Sequence, residues 1–357
     1  MSNGQHTYRE ITSQPGVWSE VLDSLLPLAP DIADRWQRTG AKRVLFTGCG
    51  STYYLSLTAA ALFQGLTGVP ARGVPASEIV LFPDETLSQP QDTLLIAVSR
   101  SGTTTETAAA MSRFRQLGGN TIWGVTCYPD TPVATETDFA LLAEAAQETS
   151  VAQTRSFSSM LLIIEAVSAI AGGQQISSMN SLPDAAERIL DEYADLAEQL
   201  GQNSALSRFF FLGSGPLYGI ACEVMLKMKE MSISHSEAFH FMEFRHGPKS
   251  LVDEHGLVTG LLSPRSNTFE EPVVKECMEM GGRALTLFPR IANSQAHYEL
   301  SLASDAPWWA QPVLYLPMLQ LLAYQRSMSK GLDPDNPRHL TAVVELDRDS
   351  LLAGNGA

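Results

Sequence analysis

Hydroxyl side chains are concentrated in one stretch of the sequence, Ser99–Thr107, where six of nine residues are Ser or Thr. The stretch follows an apolar run and precedes a helical pattern, so it would stand at the start of a helix. The free N–H groups and the partial positive charge of a helix start suit a phosphate group. A helix needs only one hydroxyl residue as a cap. Six of them indicate a phosphate-binding loop rather than a cap alone.

A second turn with the composition of a ligand site is Gly48-Cys-Gly50, which is followed by Ser51 and Thr52. A dinucleotide-binding fingerprint would have a third glycine where this sequence has Tyr53, so a nicotinamide cofactor is disfavoured. Two interpretations of the turn remain. Either the glycines serve the backbone alone, or the amides and hydroxyls of Ser51 and Thr52 face a ligand.

Charged residues that could move protons lie in the second half of the sequence. Lys227 and Glu230 interrupt a helical run that is otherwise mostly apolar, and His246 is followed by Gly-Pro, which predicts a sharply turned loop. Beside a phosphate pocket, a carboxylate could act as a base at carbon and an imidazole could act on a ring oxygen. No histidine spacing in the sequence fits a metal site. The sequence also contains no Gly-x-Ser-x-Gly elbow, the motif that would indicate a serine hydrolase. We interpret three other histidines as surface residues: His235, His240 and His255.

Short apolar runs alternate with helical patterns in the first half of the sequence. Arg43–Thr47, Thr93–Val98 and Thr121–Thr126 are almost continuously apolar, which is typical of parallel strands buried on both faces. The stretches between them, Tyr53–Gly65 and Thr104–Leu117, are long enough for crossover helices. The alternation predicts an α/β fold in which helices cover both faces of a parallel sheet.

The same pattern restarts in the second half. The strand, Gly-x-Gly turn and tyrosine of Val44–Tyr53 return in Phe210–Tyr218, and the first glycines of the two turns are 213 − 48 = 165 residues apart. An offset of one domain length indicates a tandem duplication. Further elements are predicted at Arg208–Leu212, Leu217–Ser232, Leu257–Leu262, Ala284–Phe288 and Pro312–Lys330. We expect an N-terminal segment (1–25), a first domain (26–180), a helical linker (181–203), a second domain (204–345) and a C-terminal tail (346–357).

The composition excludes several classes of protein. The chain has 357 residues, with 24 Lys and Arg against 39 Asp and Glu, so its formal net charge is −15. So acidic a surface repels the phosphates of nucleic acids. Four separated cysteines form neither a disulfide framework nor a zinc motif, which favours a reducing cytoplasm. The polar N-terminus does not resemble a signal peptide, and the apolar stretch Met160–Ala171 is shorter than a membrane span.

Together, these motifs resemble the sugar isomerase (SIS) domains, in the tandem arrangement of the isomerase half of glucosamine-6-phosphate synthase. The resemblance covers nearly the whole chain, and the motifs keep the family's order and spacing. It implies two tandem SIS domains, each a flavodoxin-like parallel sheet sandwiched by helices, and a homodimer. The motifs are the segment Glu10–Pro15, the turn Gly48–Tyr53, the loop Ser99–Thr104, the segment Glu148–Phe157, the stretch Lys227–Pro248 and the segment Asp335–Leu340.

The resemblance also implies a set of site residues and an activity that needs no metal or redox cofactor. Glu230 would move a proton between C1 and C2 of the sugar, and His246 would open the sugar ring, reaching in from the neighbouring subunit. Lys227 would orient nearby polar groups. The substrate-binding residues implied are Ser99, Ser101 and Thr104 for the phosphate, with Thr52 and Arg100 beside them, and Val151 and Gln153 for the sugar.

Two departures from the synthase determine which reaction we expect. We expect no glutaminase domain with a catalytic cysteine, and Ala342 stands where the synthase has an imine-forming lysine. The stretch Phe244–Asp253 is similar to amino-sugar 6-phosphate deaminases. We therefore expect a cytoplasmic enzyme that converts an amino-hexose 6-phosphate, such as glucosamine 6-phosphate, into a ketose phosphate, such as fructose 6-phosphate, and ammonia. The alternatives are a deglycase of a fructosamine-type 6-phosphate and a non-catalytic sugar-phosphate sensor.

Overall fold

The computed structural model describes residues 3–290, 294–344 and 346–353. Its first sheet is parallel and has the strand order β2-β1-β3-β4-β5, with strands β1 (Arg43–Gly48), β2 (Ala71–Pro75), β3 (Thr93–Val98), β4 (Thr121–Thr126) and β5 (Phe139–Leu142). The central strand β3 is buried along its whole length. In sequence order, the first nine α-helices of the described residues are α1 (Gln5–Thr12), α2 (Gln14–Leu25), α3 (Ala29–Thr39), α4 (Ser51–Thr67), α5 (Ala76–Leu81), α6 (Pro83–Thr86), α7 (Thr105–Gln116), α8 (Pro132–Thr135) and α9 (Arg155–Ala171).

The second sheet repeats this topology. Its order is β7-β6-β8-β9-β10, with strands β6 (Arg208–Gly213), β7 (His235–Phe239), β8 (Gly256–Leu261), β9 (Arg283–Phe288) and β10 (Tyr298–Ser301). Its central strand β8 is also completely buried. The remaining helices are α10 (Leu182–Gln202), α11 (Leu217–Ser232), α12 (Phe241–Phe244), α13 (Asn267–Glu279), α14 (Leu316–Ser329) and α15 (Arg348–Ala353). The predicted architecture of two flavodoxin-like α/β sheets is confirmed.

The chain divides into two compact units, each built around one sheet. The unit of the first sheet consists of Val17–Glu148, Arg155–Asn180 and the described residues from Thr341 onward. The unit of the second sheet consists of the described residues up to Gly16, the segment Thr149–Thr154 and Ser181–Leu340. Both units are therefore discontinuous in sequence. The continuous domain boundaries that the sequence suggests stay a prediction.

The central strands and the long helices lie where the sequence predicts them, and α11 has the predicted bounds. The four edge strands β2, β5, β7 and β10 are not predicted by the sequence patterns. Each has one neighbouring strand instead of two, so it is only partly buried and needs no continuous apolar run. Of the five residues of β7, for example, only Ser236 is buried. None of the helices in the described ranges combines the length and the apolar composition needed to cross a bilayer.

Candidate functional site

The glycine turn between β1 and α4 is held together by Thr52. Its Oγ1 accepts a hydrogen bond from the Cys49 N–H (2.9 Å) and donates one to the Cys49 carbonyl (3.0 Å). A Cβ at position 48 would lie only 2.7 Å from the Thr52 Cβ, so the turn requires Gly48. The backbone interpretation of this glycine therefore has a physical basis. The Thr52 hydroxyl bonds the backbone of the turn as both donor and acceptor. Burial raises the pKa of the Cys49 thiol to about 11, so this cysteine is protonated near neutral pH.

The loop between β3 and α7 presents hydroxyl groups that bond to one another. Ser99 Oγ and Thr104 Oγ1 are 3.0 Å apart, and Ser99 Oγ accepts the Gly102 N–H at 3.1 Å. Ser101 Oγ accepts the Thr103 N–H at 3.2 Å. Helix α7 begins at Thr105, and no side-chain hydrogen bond caps it from Thr104. Capping therefore does not explain these hydroxyls, which lie beside a helix start whose N–H groups suit an anion.

Arg100, inside the same loop, is buried and turned toward a carboxylate. Its Nη1 lies 3.6 Å from Glu148 Oε2, and the two side chains are 8% and 0% exposed. Its Nη2 donates to the Ala342 carbonyl at 3.0 Å. Glu148 also accepts the Ser156 N–H at 3.1 Å, at the start of α9. The guanidinium thus ties the loop to the C-terminal segment, and its proposed contact with the substrate stays a prediction.

In the unit of the second sheet, three charged side chains follow one another along α11. Lys227 Nζ lies 2.5 Å from Glu230 Oε2 and 3.4 Å from Glu223 Oε1. Lys227 and Glu223 are 1% and 0% exposed, whereas the Glu230 side chain is 20% exposed. One buried ammonium therefore bridges two carboxylates, of which Glu230 is the one that solvent can reach. The sequence analysis missed Glu223, although its position four residues before Lys227 was a usable signal.

The segment that carries His246 is fixed to helix α13. Arg245 binds Glu276 with two hydrogen bonds of 3.1 and 2.6 Å, and Lys249 Nζ lies 3.4 Å from the same carboxylate. The Arg245 guanidinium holds the pKa of Glu276 below its usual range. Gly247 has a φ of +135°, which favours glycine and turns the chain sharply. The predicted loop is confirmed, and its His246 side chain is exposed.

The segment Thr149–Thr154 carries the two predicted sugar contacts and is held by residues that are distant from it in sequence. Glu10 accepts the Thr149 N–H at 2.6 Å, and the Val151 N–H donates to the Asp335 carbonyl at 3.0 Å. Gln153 Oε1 is buried, and within the part of the chain that the structure describes it has no hydrogen-bond partner. A buried acceptor without a donor is costly. This oxygen is therefore suited to a hydroxyl or amino group of a ligand.

The predicted residues fall into two groups, one in each compact unit. The phosphate-loop residues Ser99, Ser101 and Thr104 lie within one compact unit, together with Arg100 and Thr52. Lys227 and Glu230 form an ion pair in the other unit, which also holds the anchored loop of His246 and the segment with Val151 and Gln153. Glu148, Glu223 and Glu276 extend the predicted set as the partners that hold its charged members.

Comparison with known proteins gives one family and several relatives. The family model described as SIS domain matches residues 39–170. An isomerizing glutamine–fructose-6-phosphate aminotransferase of Methanothermobacter thermautotrophicus is 29% identical over 352 residues, covering 95% of this chain and 57% of the relative. Its counterpart in Pyrobaculum aerophilum is 31% identical over 319 residues, covering 86% of this chain and 52% of the relative. The chain spans slightly more than half the length of these relatives.

Two solved structures match over nearly their whole length. Glucosamine-6-phosphate deaminase from Thermotoga maritima has a TM-score of 0.79 and 26% identity, covering 96% of this chain and 100% of that one. Tagatose-6-phosphate ketose/aldose isomerase from Escherichia coli has a TM-score of 0.84 and 25% identity, covering 96% of this chain and 99% of that one.

Proposed function

We propose that this chain, of which residues 39–170 match the SIS domain model, deaminates an amino-hexose 6-phosphate to a ketose 6-phosphate and ammonia. The observation that carries this proposal is the ion pair of Glu230 with the buried Lys227, at 2.5 Å. The ammonium holds the carboxylate in one position, as a base that acts at one carbon requires. The exposed fifth of the Glu230 side chain leaves it accessible to a substrate.

The proposed reaction proceeds in three steps. His246 assists ring opening by transferring a proton to the ring oxygen. The bond between C1 and the ring oxygen breaks, and the C1 hydroxyl loses its proton to become the aldehyde oxygen. Glu230 then removes the C2 proton while the C1 oxygen gains a proton, which gives an enolamine. Glu230 delivers a proton to C1 while the nitrogen loses one, which gives a ketimine at C2. Water adds to the ketimine carbon, the C–N bond breaks, and ammonia leaves from a ketose 6-phosphate. The phosphate stays bound at the loop Ser99–Thr104 throughout, which restricts the movement of the sugar.

The residue at position 342 favours deamination over transfer of ammonia to a ketose. Ala342 has no amine, and its carbonyl accepts a hydrogen bond from Arg100 at 3.0 Å. An amino-sugar substrate brings its own nitrogen, so the ketimine forms without a lysine. The similarity in fold to a glucosamine-6-phosphate deaminase supports the proposed deamination.

A product screen tests the proposal. The purified chain is incubated with glucosamine, galactosamine and mannosamine 6-phosphates, and ammonia and ketose phosphate are measured together. We expect both products in equal amounts from one or more of these substrates. Release of a free amine together with a sugar phosphate from fructosamine 6-phosphates, without ammonia from the amino sugars, would indicate the deglycase. Binding without turnover of any of these compounds would indicate a sensor.

Removal of one loop hydroxyl should weaken phosphate binding. We expect Ser101→Ala to raise the dissociation constant of the sugar phosphate about 10- to 100-fold, because a hydrogen bond to a charged group contributes about 1.5–3 kcal/mol. Isothermal titration calorimetry measures the change, and Ser24→Ala on α2 is the control. If the parent protein binds the unphosphorylated sugar as tightly as the phosphorylated one, the loop is not a phosphate site.

Two inactive variants should complement each other if His246 serves the neighbouring subunit of a homodimer. We expect mixtures of Glu230→Gln and His246→Ala chains to recover up to roughly a quarter of parental activity, because about half of random dimers are mixed and each has one intact site. Each variant alone should stay nearly inactive. Activity is measured after subunit exchange has been demonstrated by mass spectrometry of labelled chains. No recovery after exchange would mean that both residues serve a site from one chain.

A further inference from the structure

The two sheets share one topology, so each position at the edge of the first sheet has a counterpart in the second. Strand β8 corresponds to β3, because each lies between the first and fourth strands of its sheet. The residue after each strand confirms the match. The Ser99 N–H donates to the Val125 carbonyl at 3.0 Å, and the Leu262 N–H donates to the Leu287 carbonyl at 2.9 Å. The loop 262–266 is therefore the structural counterpart of the phosphate loop.

Ligands of such sheets bind beyond the carboxyl ends of the strands, where the strand order reverses. In the second sheet this reversal lies between β6 and β8. The polar groups that follow these two strands include Ser214 after β6, and Ser263 and Ser266 after β8. Hydroxyls and backbone N–H groups at a helix start form an anion-binding position. The second sheet thus retains the kind of groups that the first sheet offers to a phosphate.

A carboxylate of the chain itself occupies this position. Glu270 Oε2 accepts the Ser263 N–H at 2.7 Å, and its Oε1 accepts the Ser266 hydroxyl at 2.7 Å. The Ser214 side chain hydrogen-bonds the same carboxyl group. Glu270 is 1% exposed. Its partners therefore come from the ends of both strands that flank the reversal.

Helix capping is the simpler explanation, and the geometry does not fit it. Ser266 precedes α13 but makes no side-chain cap hydrogen bond to that helix. The backbone N–H that Glu270 accepts belongs to Ser263, which lies before the helix, and Ser214 belongs to a different loop. A cap would satisfy N–H groups of the first turn of α13. This carboxylate instead joins two loops at the edge of the sheet.

We propose that the second half of the chain keeps the anion position of the repeat and fills it with the Glu270 carboxylate. One chain then binds one sugar phosphate, at the first sheet. Glu270 occupies the position at the second sheet where a second anion of the phosphate class would bind. A cavity of about 370 Å³, lined in part by Ser263 and Asn267, lies beside the loop 262–266. The inference rests on the proposed phosphate loop for its comparison with the first sheet.

The test removes the internal carboxylate and offers inorganic phosphate in its place. The Glu270→Ala substitution leaves the Ser263 N–H and two serine hydroxyls without their acceptor, which should lower the melting temperature in chloride buffer. Phosphate that fills the gap should restore stability, because a ligand of the folded state alone stabilises it. Equilibrium dialysis with labelled phosphate should detect about one bound ion per parent chain and about two bound ions per variant chain.

Matched variants separate this result from general effects. Glu270→Gln keeps the shape of the side chain and should gain no phosphate. Glu10→Ala removes another buried carboxylate that accepts backbone N–H groups in the same unit, and phosphate should not restore its stability. Glu270→Ser replaces the alanine variant if that variant does not fold. All phosphate measurements use chloride controls of equal ionic strength.

Each outcome decides one of the two proposals. A folded Glu270→Ala chain with no additional phosphate, or a parent chain that already binds two, would overturn the internal-carboxylate proposal. A parent chain that binds none, beside a variant that gains one, would remove the proposed phosphate loop and leave the Glu270 site standing. Adding Ser101→Ala to the Glu270→Ala chain should weaken the first site and leave the second unchanged.

Discussion

Glu230→Gln should lower turnover about 10²- to 10⁴-fold, because it removes the base that moves the proton between C2 and C1. Glutamine keeps the length of the side chain, and its carbonyl oxygen can still accept a hydrogen bond from the Lys227 ammonium. We therefore expect substrate affinity to stay within about twofold of the parent value, since binding energy shared by ground and transition states is retained. The defect should appear in kcat, with little change in KM.

The direct measurement is the fate of hydrogen at C1. The proton that Glu230 takes from C2 exchanges with solvent before a proton is delivered to C1. In D₂O the parent enzyme should therefore place deuterium at C1 of the ketose phosphate, and the variant should do so more slowly by the same factor as its turnover. Glu254→Gln, at a glutamate whose side chain is 77% exposed, changes the charge equally and serves as the control. If Glu230→Gln exchanges this hydrogen at the parental rate, another group is the base.

Lys227→Met should have the largest effect on stability. It leaves the completely buried Glu223 without the ammonium that lies 3.4 Å from its Oε1. Breaking a buried ion pair by removal of one partner costs about 3–5 kcal/mol of unfolding free energy. Urea denaturation measures the loss. Activity should fall as well, because Glu230 loses the ion pair that positions it.

The double variant Glu223→Gln/Lys227→Met distinguishes the buried charge from a packing defect. Removing both charges should restore most of the lost stability, because the side chain at position 223 is then neutral and needs no ammonium beside it. Activity should stay low, since Glu230 still lacks its lysine. Lys229→Met, at an exposed lysine of the same helix, should leave both properties near parental values. A double variant as unstable as Lys227→Met alone would contradict the buried-charge explanation.

The sequence by itself determined the central architecture, because the signals for it are local. A continuously apolar run such as Thr93–Val98 can only be accommodated between two layers of helices, and its burial pattern follows from composition. The hydroxyl-rich start of α7 and the turn at Gly247 are likewise set by neighbouring residues: a helix start leaves N–H groups free, and glycine permits positive φ. These features are the loop proposed for phosphate and the segment that carries His246.

Only the tertiary structure decided which charged groups meet and which are buried. Arg100 forms an ion pair with Glu148, and Glu10 accepts a hydrogen bond from the Thr149 N–H. The two partners of each pair are distant in sequence and become adjacent only after the chain has folded. A lysine side chain is usually exposed to solvent, yet Lys227 is 1% exposed because the neighbouring elements cover its face of α11. Glu270 likewise fills the edge of the second sheet through bonds to two loops. The type of a residue determines which groups its side chain can bind, whereas long-range packing determines which of them it meets and whether water reaches it.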